Sequence, residues 1–463
     1  MRRGTALLVA TLAANAGHAQ TNQELQQKLE RTQQQLEQAI QVIRELQGRV
    51  NSLEKTNAAR PAQTLEETAV RPSTEAGAPV IAPNLKPENN VAKAEDARIE
   101  ISGHVMLDAI YDFDRVDPDW NSTLRPSKIP VYCPDNGLPR EAGCGEDGET
   151  VFSIRQTKLA LKGFFPTDLG ELKTVLEADL YDVGGGGTHG RVLHAWGELG
   201  AFGAGQSLTL FMDIDTFPNT IEYWGPPGMV FVRNPQLRYT PYDHDGLKVA
   251  FSLEAPGAAL DTGKINLIDP ALGEGVDSHT ELPDLIANVR YEGNWGHVQA
   301  AALVRKLSFD TPSNPNAEPS NSENGYGLNL SGVWNTHGDD RIVAQVVAGR
   351  GIASYMNDGG TDLAPDSRLQ AEAVDTLGWL LYYDHYWSEQ WSSSIGYSEH
   401  SQDNTSGQLF NAFKKGRYSS VNLLYYPVKN MTTGAEFLWG ERENKDGNTG
   451  EDRRIQFSTK YAF

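Results

Sequence analysis

Residues 453–463 read RRIQFSTKYAF, and apolar and polar side chains alternate along this stretch as they would in an extended strand. One face carries Ile455, Phe457, Thr459, Tyr461 and Phe463. In a soluble sheet this alternation would indicate one buried face and one wet face. A strand that spans a lipid bilayer alternates in the same way, because one face meets hydrocarbon and the other a water-filled interior. The rest of the chain decides between the two interpretations.

The first twenty residues, MRRGTALLVATLAANAGHAQ, have the features of a secretory signal. Arg2 and Arg3 form a positive start, an apolar run covers 5–14, and small residues precede Gln20. The apolar run is too short to cross a bilayer, and a helix of a soluble domain would not need these flanks. We therefore predict a signal peptide at residues 1–19 and an exported mature chain.

Residues 20–55 carry a heptad repeat with Gln, Glu and Arg on its flanks. The a positions are Leu29, Leu36, Ile43 and Val50, and the d positions are Leu25, Thr32, Ala39, Leu46 and Leu53. A single helix packed on a domain would have a wider apolar stripe, so the repeat predicts a coiled coil that joins several copies of the chain. Residues 56–97 are rich in Pro, Ala and Glu without periodicity, which predicts a flexible linker.

From residue 98 onward the period of the apolar residues changes to two. The stretch 98–113, RIEISGHVMLDAIYDF, is longer than most strands of soluble sheets. It suits a bilayer, which a tilted strand crosses in ~9–11 residues. Sixteen such segments follow one another to residue 463. We predict an all-β membrane protein with a 16-stranded antiparallel transmembrane β-barrel over 98–463, wide enough to hold an aqueous bore.

The connections between these segments alternate in length. Seven are tight turns and eight are longer, more acidic loops, which is typical of outer-membrane barrels. Aromatic residues gather beside the tight turns, where they would form a girdle at the lipid–water boundary. They are Phe164, Phe165, Phe202, Tyr239, Tyr242, Tyr291, Trp295, Trp334, Tyr386, Trp387, Trp391, Tyr425 and Tyr426.

Composition narrows the range of partners. The net charge of −21 argues against nucleic acid as a partner. The two cysteines, Cys133 and Cys144, lie close together and could form a disulfide in an oxidising compartment, although the sequence leaves their bonding open. Two thiols without neighbouring histidines do not complete a metal site, so we predict neither a metal nor another cofactor.

Four segments resemble the DcaP-like outer-membrane porins of Gram-negative bacteria. They are ARIEISGHVMLDAIYDF at 97–113, RQTKLALKG at 155–163, VLHAWGELGAFGAGQSLTLFMDIDTFPNTIEYWGPPG at 192–228 and FVRNPQLRYT at 231–240. The chain is similar, more distantly, to the phosphate-selective porins O and P. The resemblance implies a homotrimer of sixteen-stranded barrels in the outer membrane, with the coiled coil in the periplasm. It also implies passage of small anionic solutes such as dicarboxylates.

A constriction of the bore is predicted by the segment MDIDTFPNTIEYWGPPG at 212–228, which follows the fifth strand. It contains Asp213, Asp215 and Glu222, and its prolines would stiffen it. An ordinary extracellular or trimer-contact loop is the alternative interpretation.

Cations facing the bore are predicted from the parity of each strand. Guanidinium and ammonium groups there would bind passing anions weakly, although each could also be merely solvated. The predicted set is Lys158, Lys162, Lys173, Arg238, Lys248, Arg290 and Arg305. Arg155, Arg191 and Arg233 have ambiguous parity. Inward-facing Glu100, Asp108, Glu177 and Asp179 make the wall mixed rather than uniformly basic.

We predict passive diffusion of small anions through an outer-membrane porin, and no enzymatic activity. One alternative is a structural tether that holds a partner through the coiled coil. The other is a barrel enzyme of the phospholipase or protease type, which would need a Ser–His arrangement. The only suggestive cluster is Asp243-His244-Asp245, which falls in a tight turn on the periplasmic side. Outer-membrane lipid and two further copies of the chain are the other predicted partners.

Overall fold

Sixteen antiparallel strands form one sheet that closes on itself. They are β1 (Arg98–Asp112), β2 (Glu149–Ser153 and Lys158–Thr167), β3 (Gly170–Tyr181), β4 (Thr188–Leu199), β5 (Phe202–Leu208), β6 (Arg233–His244), β7 (Leu247–Glu254), β8 (Asp284–Gly293), β9 (Gly296–Asp310), β10 (Asn321–Asn335), β11 (Arg341–Arg350), β12 (Asp375–Ser388), β13 (Trp391–Asp403), β14 (Phe413–Tyr425), β15 (Met431–Asn444) and β16 (Thr449–Ala462). Both segments of β2 pair with β1, one with its end and one with its start. β16 pairs with β1 along its other edge and closes the barrel. The predicted 16-stranded barrel is confirmed.

The structure is a computed structural model, and it describes most of the chain from residue 97 onward. The described ranges are 97–134, 140–145, 148–181, 187–265, 276–279, 281–310, 321–368 and 370–463. All of them belong to one compact unit, Pro87–Phe463. The predicted signal peptide, coiled coil and linker, up to residue 96, lie outside the described residues and stay predictions. Within those ranges, no helix has the length and apolar composition needed to cross a membrane.

Seven short turns and eight loops alternate between the strands, as predicted. The loops are L1 (113–148), L2 (182–187), L3 (209–232), L4 (255–283), L5 (311–320), L6 (351–374), L7 (404–412) and L8 (445–448). L8 is short, because β15 and β16 stay paired as far as Glu443 and Thr449. In the turn between β6 and β7, Asp245 and Gly246 both have positive φ (54° and 77°), which suits the twist of a two-residue hairpin.

The outer face of the barrel is apolar and exposed. Along β1, Ile101, Val105 and Leu107 are exposed, whereas the alternate residues Met106 and Asp108 are buried. This reverses the arrangement of a soluble sheet and matches a wall that faces lipid. Most of the predicted girdle aromatics are likewise exposed beside the short turns, among them Phe202, Tyr239, Tyr291, Trp295, Trp334, Trp387 and Trp391.

The interior is partly filled by L1, L3 and L6. Each contains a short 3₁₀ turn: Pro118–Trp120 and Pro126–Lys128 in L1, Ile214–Thr216 in L3, and Ala353–Tyr355 in L6. Buried apolar side chains of these loops pack against inward-facing residues of the wall. Examples are Leu124 and Ile129 of L1, Phe211 and Met229 of L3, and Tyr355 and Met356 of L6. Cys133 and Cys144, whose bonding the sequence left open, form a disulfide within L1.

Candidate functional site

L3 runs along the inside of the wall and is fastened to it by side-chain amides. The first of these bonds join the amide nitrogens of Asn288, Asn329 and Gln299 to three successive carbonyls, Leu210, Phe211 and Met212, at 3.0, 2.8 and 2.9 Å. The last join Asn422 to the carbonyl of Asn219 at 2.8 Å and Gln456 to that of Ile221 at 3.1 Å. L3 therefore follows the wall from β8 round to β16, inside the barrel. That L3 narrows the bore stays a prediction.

The base of L3 is held by the carboxylate of Asp213, which is buried. It accepts a hydrogen bond from Ser331 Oγ at 2.8 Å, lies 2.8 Å from His297 Nε2, and pairs with Arg290 at 3.2 Å. Arg290 also contacts the half-exposed Asp215 at 2.7 Å. Asp213 thus anchors the loop, and Arg290 is its partner.

Asp213, Asp215 and His297 also bring three potential metal-ligand atoms within 4.8 Å of one another. The guanidinium of Arg290 bridges the two carboxylates. It supplies the positive charge that a metal ion would otherwise bring, so we assign no metal to this cluster.

The tip of L3 is held by Glu222, whose carboxylate is buried. It accepts backbone hydrogen bonds from Leu124 of L1 at 3.0 Å and from Gly225 at 2.6 Å. Burial raises the pKa of this carboxyl, and the backbone N–H groups oppose the shift. Of the three predicted acidic residues of the loop, Asp213 and Glu222 therefore hold it in place, and only Asp215 is exposed.

On the other side of the barrel, between L3 and the wall of β1–β6, a recess of about 380 Å³ stays open. Tyr223, Trp224 and Phe231 line it from L3 and its end, and charged residues line it from the wall. The charged residues are Lys158, Asp179, Arg191 and Arg233. We call this space the upper recess.

Two of these cations pair with carboxylates, and the third has no carboxylate partner in the part of the chain that the structure describes. Arg191 makes two bonds to Asp179, of 2.7 and 3.1 Å, and Lys158 pairs with Glu177 at 3.1 Å. Arg233 packs its guanidinium 4.9 Å from the ring of Phe231, and its Nε has no hydrogen-bond partner among the described residues. Three cations therefore face two carboxylates, which leaves a positive excess that Arg233 carries.

The hydroxyl of Tyr223 completes this arrangement, because it donates to Asp179 at 2.6 Å and also contacts Arg191. Burial raises the pKa of Tyr223, so this phenol stays neutral. The bond ties the tip of L3 to β3. The upper recess is therefore closed on one side by the loop and on the other by the charged wall.

A second recess, of about 680 Å³, lies nearer the short turns, since Gly246 and Asn294 of two turns line it. Its cations are Arg238, Lys248 and Arg290. We call it the lower recess.

Comparison with known proteins identifies the family. Residues 84–463 match the DcaP outer membrane protein family. The chain belongs to this family. It is therefore an outer-membrane protein of a Gram-negative bacterium, and its β-barrel is the part that spans that membrane.

Solved structures show the same fold. The crystal structure of the outer membrane channel DcaP of Acinetobacter baumannii is similar at a TM-score of 0.68 and 20% identity, over 80% of this chain and 98% of that one. An anion-selective porin from Comamonas acidovorans is similar at a TM-score of 0.50 and 10% identity, over 80% of this chain and 100% of that one. OmpT of Vibrio cholerae has a TM-score of 0.48 and 11% identity, over 81% of this chain and 100% of that one. No curated protein sequence matches this chain.

In this DcaP-family barrel the predicted lumen cations differ in their exposure to the lumen and in their partners. Lys158 lines the upper recess. In the lower recess Lys248 pairs with Asp243 at 3.1 Å, and Arg238 donates to the carbonyl of Leu208 at 2.7 Å. Lys162 and Lys173 share their strand face with residues of the lumen, closer to the turn between β2 and β3 than Lys158 is. Arg290 is held by L3.

Arg305 requires a correction. Its side chain points inward, as the parity of β9 predicts, but it is fully buried beneath L4 and L6. It pairs with Asp284 at 3.1 Å and with Asp362 at 3.7 Å, and it also donates to Ser354 Oγ at 2.8 Å. A solute in the bore does not reach it. Arg305 therefore forms a structural ion pair and is not a cation of the open lumen.

Proposed function

We propose that this protein is a passive diffusion channel that prefers small anionic solutes such as dicarboxylates. The observation that carries the proposal is the positive excess in the upper recess, where Lys158, Arg191 and Arg233 face only two carboxylates, Asp179 and Glu177. The alternative of a barrel enzyme has less support, because family membership points to a channel.

The argument for anions rests on which charges remain accessible. The acidic residues of L3 are occupied by Arg290, by backbone N–H groups or by the wall, so they contribute little negative potential to the open side. The cations of β2, β4 and β6 face that open side. Guanidinium groups bind carboxylates through paired hydrogen bonds, and in a wet bore such binding stays weak enough for release.

The lower recess carries charges of both signs. Lys248 and Arg238 line it beyond the base of L3 as seen from the upper recess, and Asp213, Asp243 and Glu292 line it as well. An anion that leaves the upper recess would therefore meet cations beside carboxylates and would be held only weakly there. Successive weak sites allow conduction because no single site holds the solute.

We further propose a homotrimer in the outer membrane, assembled through the barrel walls and through a periplasmic coiled coil at residues 20–55. The heptad repeat supports self-association, and the linker at 56–97 would join it to the barrel. A tethering role of the coiled coil is compatible with this assembly.

The proposal is tested by the reversal potential of purified protein in a planar bilayer under a KCl gradient. We expect chloride to be preferred over potassium, and the preference to fall when Lys158, Arg233 and Lys460 are replaced by glutamine. Lys460 lies beside Met106 of β1, on the inward face of β16. The control is Lys306→Gln, which removes a cation that is paired with Glu281 and lies on the outer face of β9. A potassium preference of the native channel would exclude the anionic solute class.

A further inference from the structure

Three loops meet at one side chain, Arg125 of L1. Its guanidinium packs against two indole rings, 4.1 Å from the centre of Trp120 of L1 and 3.9 Å from that of Trp224 of L3, and the two rings meet edge to face with their centres 5.2 Å apart. Its Nε donates to Asp358 of L6 at 2.8 Å. Arg125 is largely buried and Asp358 is completely buried. One residue thus contacts L1, L3 and L6 together.

Among the described residues, the carboxylate of Asp358 accepts side-chain and backbone hydrogen bonds from L1 alone. Besides Arg125, it accepts hydrogen bonds from the backbone N–H of Ser127 at 2.8 Å and from Ser127 Oγ at 2.6 Å. A buried carboxylate that loses its cation is destabilised, so Arg125 stabilises the part of L6 around Asp358.

Trp224 connects this junction to the upper recess, which it lines. Its indole N–H donates to the carbonyl of Asn357 at 2.8 Å, and the Asn357 amide donates back to the carbonyls of Trp224 at 2.7 Å and Pro226 at 3.0 Å. Asn357 lines the recess as well. One face of the indole therefore packs on Arg125, while its polar edge is fixed by L6.

We propose that Arg125 is a positioning residue that sets the width of the constriction, because it holds L1, L3 and L6 in one assembly and so fixes Trp224 and Asn357 at the upper recess. The inference rests on the proposed channel function, but it concerns the size of the opening rather than its charge. Loss of Arg125 would allow Trp224 and the adjoining part of L6 around Asp358 to move. The base of L3 would stay in place, because Asn288, Gln299 and Asn329 hold it independently.

The arrangement requires arginine rather than any cation. A planar guanidinium offers a broad, weakly hydrated surface that packs against both indoles and still presents its Nε–H to Asp358. A lysine ammonium is a compact, strongly hydrated charge that lacks this surface. Arg125→Lys should therefore behave like a variant without the cation.

The experiment compares the full-length native channel with Arg125→Gln and Asp358→Asn in planar bilayers. Single-channel conductance and exclusion of neutral polyethylene glycols of increasing size are measured. We expect both variants to show a higher conductance, a larger polymer cut-off and more current noise than the native channel. The two substitutions change the charge in opposite directions, so a shared increase in the neutral-polymer cut-off cannot be a charge effect. The double variant should match either single variant, since both remove one interaction.

The matched control is Arg453→Gln, which breaks an exposed Arg–Asp pair, with Asp114 at 3.0 Å, that also involves L1. It should leave the cut-off unchanged. A native cut-off in folded Arg125→Gln and Asp358→Asn would overturn the proposal, with folding checked by the heat-dependent mobility of the barrel in gels. If Arg125→Gln does not fold, Arg125→Lys decides, and a native cut-off in that variant would equally overturn it. The sign of the reversal potential should stay that of the native channel, so failure here is distinct from failure of the anion preference.

Discussion

Replacing Arg233 by glutamine should weaken the preference for anions by a factor that depends on salt. A unit charge 4 Å from a monovalent anion contributes about 1 kcal/mol in water. Screening reduces this to about 0.6 kcal/mol at 0.15 M salt, where the Debye length is about 8 Å, and to about 0.3 kcal/mol at 1 M, where it is about 3 Å. Because about 1.4 kcal/mol corresponds to a factor of ten, the chloride-to-potassium permeability ratio should fall about threefold at the lower salt and about 1.5-fold at the higher.

The assay is the reversal potential of Arg233→Gln in two series of KCl gradients, one centred near each salt concentration. Arg290→Gln is the informative comparison, because Arg290 is occupied by Asp213 and Asp215. Its removal leaves two carboxylates uncompensated, so its effect should include disturbance of L3 and increased current noise. An Arg233→Gln ratio that equals the native one at low salt, or a change that grows with salt, would refute the assignment of Arg233 as the open cation of the upper recess.

Three further predictions concern stability and assembly. Arg305→Met should lower the free energy of unfolding by about 3–5 kcal/mol, because Asp284 would remain as an unpaired buried charge. Denaturant unfolding in detergent measures this free energy. The reversal potential of the folded fraction should stay native. The raised pKa of Glu222 means that the folded state binds this proton more tightly than the unfolded state, so burial of Glu222 costs stability at neutral pH and the cost disappears as the pH falls toward its ordinary value of 4.5. Native stability relative to Glu222→Gln should therefore rise as the pH is lowered, and a difference independent of pH would contradict this sign. Deleting residues 20–55 should abolish trimers in size-exclusion chromatography and leave the conductance of each barrel unchanged.

The strands could be predicted from the sequence because each residue of a barrel wall faces either lipid or the wet interior, and that environment alone constrains its type. Lipid selects an apolar side chain and the wet interior tolerates a polar one, so the period of two is written directly into segments such as the closing strand β16. Turn lengths follow from the positions where this period stops. The number of strands and the alternation of short and long connections could therefore be predicted from the sequence.

Parity alone could not show which inward-facing residues stay open. Arg305 and Lys158 have equivalent positions in their strands, yet one lies beneath two loops and the other lines a recess. Loops have no period that reveals their path, so the cover they provide was unpredictable. Arg125 was missed for the same reason, because it lies in L1, where no pattern marks it.

An irregularity in the wall hid a further cation. The pairing of β3 with β4 shifts register near Ala178, which changes the face of the residues beyond it, including Arg191. Arg233 was ambiguous for a different reason: it is the first residue of β6 after L3, where the period of two has only just begun. The upper recess contains both arginines.

An acidic chain can nevertheless present a positive bore, because its carboxylates and its cations have different roles inside the barrel. The carboxylates of Asp213, Glu222 and Asp358 hold the inner loops to one another and to the wall, where arginines and backbone N–H groups compensate their charge. These bonds gather L3 on the side of β8–β16 and leave the side of β1–β6 open. Of the cations that line this open side, Lys158 and Arg191 pair with carboxylates of the wall, and Arg233 pairs with none among the described residues. Selectivity should therefore follow the placement of L3 rather than the net charge of −21, and a substitution that moves the loop should change selectivity without altering any lumen cation.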